Sequence, residues 1–308
     1  MHITRSNPKI AVLMATYNGV EWLQDQIHSI LSQESVAITL FISDDGSLDG
    51  TREYIEKLSS FDQRIVLLPK SNPTGSAGQN FYRLILNTNI DLFDYVAFSD
   101  QDDIWNIDKL SYQINLIENS GADAVSSNVI AFWKDGAERL IVKSQNQKEY
   151  DFIFESGGPG CSFLLKHWIV RHVRYQLTNK ISKARLVEHH DWLVYAIARS
   201  YDAKWIIDSK PLLKYRQHQF NVIGANTGIS AKYNRFIKAK RGWYRAEVIK
   251  ISQVCILISS NPKIKLINRL LSSNKALDNL RLTQFVGQAR RSFFDMLGLL
   301  ILLLTFSF

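Results

Sequence analysis

The first half of the chain alternates short apolar runs with longer stretches in which apolar residues recur every three to four positions. Runs that read as strands occupy residues 9–16, 37–47, 64–69, 95–99 and 122–132. The stretches between them have the spacing of amphipathic helices. Strands separated by helices of this length predict an α/β fold, with a mainly parallel sheet covered by helices on both faces.

The second half has a less regular pattern. A helix is predicted from about Lys166, and an apolar helix follows the polar stretch 188–191. Two further strand-like runs come next, at residues 203–208 and 212–224. From about Ala231 the pattern predicts basic amphipathic helices, with breaks at Pro262 and Gly287.

Polar residues cluster where three of the predicted strands end. The clusters are the triplet Thr16-Tyr17-Asn18, the pair Asp44-Asp45 and the run from Asp100 to Asp103. In an open parallel sheet, ligands bind beyond the carboxyl ends of the strands. The sequence therefore predicts a binding site along this edge of the sheet.

The third cluster places three carboxylates, Asp100, Asp102 and Asp103, within four residues. Like charges this close cost free energy unless a positive charge lies near them. No GxGxxG motif follows the first strand and no GxxxxGK[ST] motif occurs, so a glycine loop for phosphate is not indicated. Asp100 and Asp102 could instead share a divalent cation with substrate phosphate oxygens. The alternative is that these acids only cap the helix that begins near Asp108.

Charge is unevenly distributed along the chain. The net charge is +8, yet residues 1–110 carry 8 Lys/Arg against 15 Asp/Glu, whereas residues 209–308 carry 17 against 3. This asymmetry predicts an anionic partner for the C-terminal third. That third ends in an apolar run over residues 293–308, shorter than the ~20 residues of a spanning helix. We interpret the run as an anchor on an anionic membrane surface, with a packed core helix as the alternative.

Cysteine use and the N-terminus bear on location. Cys161 and Cys255 are the only cysteines, and they form no CxxC motif, which argues against a disulfide framework or a structural zinc site. Residues 1–18 contain no long apolar stretch before a small-residue cleavage site, so no secretory signal is predicted. We expect a cytoplasmic protein, peripheral on the cytoplasmic face of the membrane, with no nucleic-acid partner because aromatic-interleaved RNA-binding motifs are absent.

Five short segments, in this order and spacing, resemble the family 2 glycosyltransferases, which have the GT-A fold. They read VLMATYNG (12–19), ISDDGSLDGT (42–51), SDQDDIW (99–105), EHHDW (188–192) and YRQHQFN (215–221). The resemblance covers about residues 9–225. The third and fifth segments are most similar to the rhamnosyltransferase-like branch, whose members move a deoxysugar from a dTDP-activated donor to a growing surface glycan.

The resemblance implies roles for the residues at the first two strand ends. Thr16, Tyr17 and Asn18 would line the nucleotide pocket. Asp44 or Asp45 would hydrogen-bond the base of the nucleotide-sugar donor.

It also implies the metal ligands and the base. Asp102 would bind Mg²⁺ or Mn²⁺ directly, Asp100 would approach the ribose or the ion, and His218 would complete the metal shell. Asp191 would be the catalytic base of an inverting transfer, taking a proton from the acceptor hydroxyl. From its place on the same stretch as His218, Arg216 could contact phosphate, with a surface position as the alternative. From the residues alone, Asp191 as a helix N-cap and His218 as a solvated histidine remain open.

The implied organisation is a GT-A catalytic domain over residues 1–225, followed by a helical basic extension over 226–308. Its nucleotide-binding half would span about 9–110 and its acceptor half about 111–225. The implied reaction moves one rhamnose from dTDP-rhamnose to a lipid-linked or cell-surface polysaccharide. A UDP-sugar donor is one alternative, and a non-catalytic nucleotide or nucleic-acid binding protein is another. A processive synthase is disfavoured because no QxxRW motif occurs.

Overall fold

A computed structural model describes residues 7–218, 242–273 and 275–305. These residues form two compact units. The first comprises the described residues within 1–144, 158–174 and 203–222, and the second those within 145–157, 175–202 and 223–308. The predicted domain boundary at residue 225 and the predicted helix start at Ala231 lie outside the described residues.

Eleven strands occur in the described part of the chain, all in the first unit. They are β1 (Lys9–Thr16), β2 (Ala37–Asp44), β3 (Ile65–Leu67), β4 (Tyr95–Ser99), β5 (Ile104–Trp105), β6 (Ala124–Ser127), β7 (Val129–Phe132), β8 (Glu138–Ile141), β9 (Leu164–Lys166), β10 (Trp205–Asp208) and β11 (Leu213–Arg216). Seven of them build one sheet in the order β10-β6-β9-β4-β1-β2-β3, and the other four build a second sheet in the order β5-β11-β7-β8.

Twelve α-helices occur among the described residues. They are α1 (Val20–Leu31), α2 (Thr51–Phe61), α3 (Ala77–Asn87), α4 (Lys109–Ser120), α5 (Asp151–Phe154), α6 (His167–Thr178), α7 (His190–Ser200), α8 (Trp243–Ile258), α9 (Pro262–Leu271), α10 (Ala276–Leu282), α11 (Val286–Ala289) and α12 (Phe293–Leu304).

The large sheet has β1 near its centre, paired in parallel with β2 and β4. Every residue of β1 after Lys9 is buried, as a strand covered by helices on both faces requires. Its apolar side chains join a core with residues of α1, α2 and α4. One strand breaks the parallel pattern, because β9 runs antiparallel to both β4 and β6. The predicted helix near Lys166 begins one residue later, at the end of this short strand.

The apolar run predicted as one strand over 122–132 is divided between the two sheets. The division falls at Asn128, whose side-chain Oδ1 accepts hydrogen bonds from the backbone N–H groups of Lys143 and Ser144. β6 therefore stays in the large sheet, whereas β7 pairs with β8 and β11 in the small one. The small sheet also pairs β11 antiparallel with β5, which directly follows the three acids.

The second unit is helical and contains a buried ionic cluster. Asp151, fully buried, accepts hydrogen bonds from the Tyr195 hydroxyl and from Arg199 and Arg291, at 3.0–3.2 Å. Removing one partner from a buried ion pair leaves an uncompensated charge and typically costs ~3–5 kcal/mol. Arg291 thus holds the chain just before α12 to the short helix α5.

In the chain as described, none of the helices combines the length and the apolar character that crossing a membrane would require. The last helix, α12, has two faces. Leu299, Leu302 and Leu303 are buried, whereas the opposite face is exposed along its length. The exposed side chains on that face are Phe293, Phe294, Leu297, Ile301 and Leu304.

Candidate active site

The three predicted polar clusters meet at one edge of the large sheet. Thr16, the last residue of β1, pairs with Asp44, the last residue of β2. On the other side of β1, Met14 pairs with Ser99, the last residue of β4. Residues that follow these strands therefore leave the sheet side by side, because parallel strands in register end together.

Asp44 closes the turn after β2. Its Oδ2 accepts hydrogen bonds from the backbone N–H groups of Gly46 and Ser47, at 3.2 and 3.1 Å. Its Oδ1 accepts one from the Thr16 hydroxyl at 3.2 Å. The carboxylate thus joins the ends of β1 and β2.

Asp45 faces a different group of donors. Its carboxylate accepts hydrogen bonds from the backbone N–H of Thr74 at 2.6 Å and of Gly75 at 3.0 Å. It also forms an ion pair of 3.0 Å with Arg83, in which both side chains are largely buried. This arrangement ties the loop before α3 to the end of β2. Arg83 and Thr74 were not predicted from the sequence, because neither belongs to a polar cluster at a strand end.

Gln101 links the ends of β1 and β4. Its Oε1 accepts a hydrogen bond from the Tyr17 N–H at 2.8 Å, and its Nε2 donates one to the Tyr17 carbonyl at 3.0 Å. A Cβ atom at Gly19 would overlap this amide group, so glycine at 19 permits the contact. Gln101, the middle residue of the Asp-Gln-Asp run, therefore holds the Tyr17 backbone in place. It does not share the role predicted for Asp100 and Asp102.

Asn18 occupies the left-handed region with φ of 47°, a conformation that Asn adopts more readily than most residues. Its N–H donates to the Ser47 hydroxyl, and its side-chain Oδ1 accepts from the Leu48 N–H, each at 2.8 Å. Asn18 thus holds the loops after β1 and β2 together, whereas the Tyr17 side chain beside it is exposed.

The three acids after β4 differ in burial. Asp100 is half-buried, Asp102 is nearly buried and Asp103 is fully buried. Burial, followed by the charges of Asp102 and Asp100, raises the pKa of Asp103 well above its usual value. Asp103 Oδ1 also accepts a hydrogen bond from the Arg216 N–H at 3.3 Å. Asp103 therefore faces the interior, towards the small sheet.

A buried lysine accompanies these acids. Lys109, on α4, is fully buried with its Nζ 3.8 Å from the centroid of the Trp105 ring and 3.3 Å from Gln113 Oε1. Burial lowers the pKa of Lys109 to about 7, although Cys161 and Asp103 oppose this shift. Lys109 was not predicted from the sequence. Its spacing of four and eight residues from Gln113 and Ile117 places it on the same helix face as they are, and this spacing could have indicated that it is buried.

His218 and Asp102 lie in direct contact. His218 Nε2 is 2.7 Å from Asp102 Oδ2, and both side chains retain some exposure, 16% and 10%. Arg216, two residues earlier, donates from Nε to the Asp102 carbonyl at 2.8 Å and from Nη2 to Asp25 Oδ2 at 3.1 Å. The structure therefore brings together residues more than 100 positions apart in the chain.

Two sets of side chains in this region carry the kinds of atoms that bind a metal ion. Asp100, Asp103 and Cys161 place possible ligand atoms within 4.8 Å of one another. However, burial raises the pKa of both Asp103 and Cys161, and a ligand must release its proton to bind a cation. Asp102 and His218 would hold a cation better, because they offer a carboxylate oxygen and an imidazole nitrogen side by side on side chains that both retain some exposure.

Asp191 belongs to the second unit, in the first turn of α7. The N-cap of this helix is His189, and no side-chain capping bond is made there. Asp191 Oδ1 accepts a hydrogen bond from the Trp192 N–H at 2.7 Å. Burial lowers the pKa of His190 to about 3, so this neighbour is neutral at pH 7. The Asp191 carboxylate therefore lies at a helix N-terminus, where negative charge is favoured.

The family profile described as glycosyl transferase family 2 matches residues 11–170, just over half of the chain. The protein belongs to the family 2 glycosyltransferases and is therefore a glycosyltransferase. The dTDP-rhamnosyl transferase RfbG of Shigella flexneri is 42% identical to it over 240 residues, which cover 78% of this chain and 83% of that relative. The sequence-based recognition of a rhamnosyltransferase-like member of this family is thereby confirmed.

A second relative is more distant. The UDP-Glc:alpha-D-GlcNAc-diphosphoundecaprenol beta-1,3-glucosyltransferase WfgD of Escherichia coli is 24% identical over 76% of this chain and 83% of its own length. Among solved structures, S. aureus TarS 1–349 in complex with UDP matches with a TM-score of 0.56, at 15% identity, over 92% of this chain and 75% of that one. This structural likeness confirms the predicted GT-A type fold.

Proposed function

We propose that this glycosyltransferase moves a single rhamnose from dTDP-rhamnose, with inversion and with the help of a divalent cation, to a lipid-linked or cell-surface polysaccharide acceptor. The observation that carries the proposal is the contact of Asp102 with His218 at the carboxyl edge of β4. A carboxylate next to an imidazole is a donor pair that Mn²⁺ and Mg²⁺ sites accept, the imidazole suiting Mn²⁺ in particular. The 42% identical dTDP-rhamnosyl transferase supports the choice of donor.

Asp102 and His218 would hold the cation, with Asp100 at its half-buried position beside them. Such a cation supplies positive charge against the negative charge that develops on the leaving diphosphate. The protein's own part is to keep Asp102 in place. Arg216 does this through its hydrogen bond to the Asp102 carbonyl. The predicted contact of Arg216 with phosphate remains a proposal.

The base of the nucleotide would bind near Asp45, between the end of β2 and the loop before α3. Arg83 and the N–H groups of Thr74 and Gly75 hold that carboxylate in one orientation. Orientation of this kind lowers the entropy lost when a ligand binds. Asp44, Thr16 and Asn18 would contribute by holding the neighbouring turns, as their hydrogen bonds indicate.

Asp191 would act as the general base. An inverting displacement needs one carboxylate that accepts the proton of the acceptor hydroxyl as the new bond forms. The position of Asp191 in the first turn of α7, where the helix N-terminus favours negative charge, supports this role.

The acceptor would be reached at a membrane surface, on its cytoplasmic face. The exposed face of α12 carries five large apolar side chains within a helical sector about 100° wide. Exposed basic residues of the same unit would attract anionic headgroups. They are Lys263, Lys265, Arg269, Lys275 and Arg281. The lipid-linked sugar in the name of the Escherichia coli relative supports an acceptor of this kind.

The double substitution Phe293→Ser/Phe294→Ser should lower the partition of the protein onto phosphatidylglycerol-containing vesicles about 30-fold. These side chains are 67% and 78% exposed, and burying each ring in lipid contributes at least about 1 kcal/mol. Vesicle sedimentation measures the partition. Point substitutions are preferable to truncation before Arg291, which would remove the partner of buried Asp151.

Phe61→Ser is the matched control, because Phe61 is 81% exposed at the end of α2 in the first unit. It should leave the partition unchanged. Wild-type partition of the double variant would refute the role of α12.

The proposed reaction is tested first by nucleotide binding. Isothermal titration with dTDP and UDP, in EDTA and in saturating Mn²⁺, gives for each nucleotide the ratio of the two dissociation constants, here called the metal enhancement. We expect an enhancement of about tenfold or more, equivalent to about 1.4 kcal/mol, and tighter binding of dTDP. Tighter binding of UDP would favour a UDP-sugar donor. Binding of neither nucleotide would refute the proposed donor site.

A further inference from the structure

The imidazole of His218 is held on its face as well as on its edge. Trp22, on α1, stacks on it with ring centroids 4.0 Å apart and planes inclined by 10°. The edge of the same imidazole carries Nε2, which lies 2.7 Å from Asp102 Oδ2. Rotation of a histidine ring about its last side-chain bond is otherwise broad. The stack therefore selects one plane for the ring.

A second contact joins the same helix to the same segment. Asp25 lies three residues after Trp22, so both side chains project from one side of α1. Asp25 Oδ2 accepts a hydrogen bond from Arg216, whose Nε donates to the Asp102 carbonyl. Because Asp25 is 61% exposed, this ion pair contributes little to stability. Its effect is to set the direction of the segment that carries His218.

Helix α1 is itself held against the strand and loop that carry the acids. Gln26 Nε2 donates to the Ser99 hydroxyl at 2.6 Å, and the Ser29 hydroxyl accepts from the Trp105 N–H at 3.0 Å. These contacts lie on both sides of residues 100–103 in sequence and are buried. Helix α1 thus contacts both the segment that carries Asp102 and the segment that carries His218.

We propose that Trp22 is a positioning residue that holds the His218 imidazole in the plane in which Nε2 and the Asp102 carboxylate point to one cation. This inference rests on the proposed metal role of His218. Its physical basis is preorganisation: a ligand already in the bound orientation loses less entropy on binding. Residues that orient a ligand in this way typically change metal affinity about 10- to 100-fold when they are replaced.

Trp22→Leu should therefore lower the metal enhancement of dTDP binding about tenfold, while the dissociation constant of dTDP in EDTA and the melting temperature stay near wild type. Trp22→Phe, which keeps a ring for stacking, should recover the enhancement to within about twofold. Trp168→Leu is the matched control. Trp168 is a half-buried tryptophan that meets His172 edge-on within α6 and takes no part in the contacts described for the site.

His218→Ala separates the inference from the proposal on which it rests. If His218→Ala lowers the metal enhancement but Trp22→Leu does not, the positioning role is refuted and the metal role of His218 stands. If His218→Ala leaves the enhancement unchanged, the metal role fails and the inference fails with it. Loss of dTDP binding in EDTA together with a lower melting temperature in Trp22→Leu would also refute the inference, because it would assign Trp22 a purely structural role.

Discussion

Asp191→Asn should lower the turnover number of sugar transfer about 10³-fold, the loss expected when a general base is removed. The dissociation constants of dTDP in EDTA and in Mn²⁺ should stay within about twofold of wild type, because an amide side chain preserves the shape and the hydrogen bond to the Trp192 N–H. Transfer is measured by release of dTDP from dTDP-rhamnose with a lipid-linked acceptor, and binding by titration calorimetry.

Asp202→Asn provides the matched control, since Asp202 is an exposed aspartate that follows the same helix. It should transfer at the wild-type rate. Retention of more than about a tenth of the wild-type turnover in Asp191→Asn would place the base elsewhere, given that a base contributes at least about 10²-fold. A parallel loss of nucleotide binding and of melting temperature would instead indicate that Asp191 has a structural role.

Asp102→Asn should give the complementary result, with the metal enhancement of dTDP binding lost and transfer slowed about 10³-fold. Bound metal ions contribute several kcal/mol to stabilising charge in the transition state, and each 1.36 kcal/mol is a factor of ten in rate. The asparagine amide can still hydrogen-bond His218 but offers a neutral, weaker ligand. Titration of dTDP with and without Mn²⁺ and the dTDP-release assay measure the two effects.

Asp108→Asn is the control for this variant. Asp108 lies in the same stretch of chain, but its side chain is 45% exposed and paired with Lys210, so its substitution should change neither quantity by more than about twofold. A full metal enhancement in Asp102→Asn would contradict the proposed ligand role. Together, the two aspartate variants separate the chemistry of proton removal from that of metal and nucleotide binding.

The elements that the sequence predicted most accurately are those with a strong local pattern. The predicted strands over 9–16 and 95–99 have the same bounds in the structure. Apolar alternation and the spacing of helix faces repeat over two to four residues, so they can be read without knowing the fold. The meeting of Thr16, Asp44 and Ser99 at one edge also followed from the sequence, because parallel strands end together.

The elements that the sequence predicted less well depend on partners distant in the chain. β9 is three residues long and enters the large sheet antiparallel to two neighbours, a placement that no local pattern indicates. Residues 122–132 were predicted as one strand, yet the strand divides at Asn128, whose side chain accepts hydrogen bonds from the N–H groups of Lys143 and Ser144. The partners of a short strand therefore depend on strands distant in the chain and not on its own residue pattern.

The sequence by itself determined the family, the alternation of strands and helices and the carboxylates at the strand ends, since all of these depend on residue type and short-range spacing. Only the tertiary structure decided what those side chains contact. It buried Lys109 beside Trp105, paired Asp45 with Arg83 and stacked Trp22, a residue of an apparently ordinary amphipathic helix, on His218. The last two contacts join residues far apart in the chain, and the geometry of all three exists only after the backbone has folded.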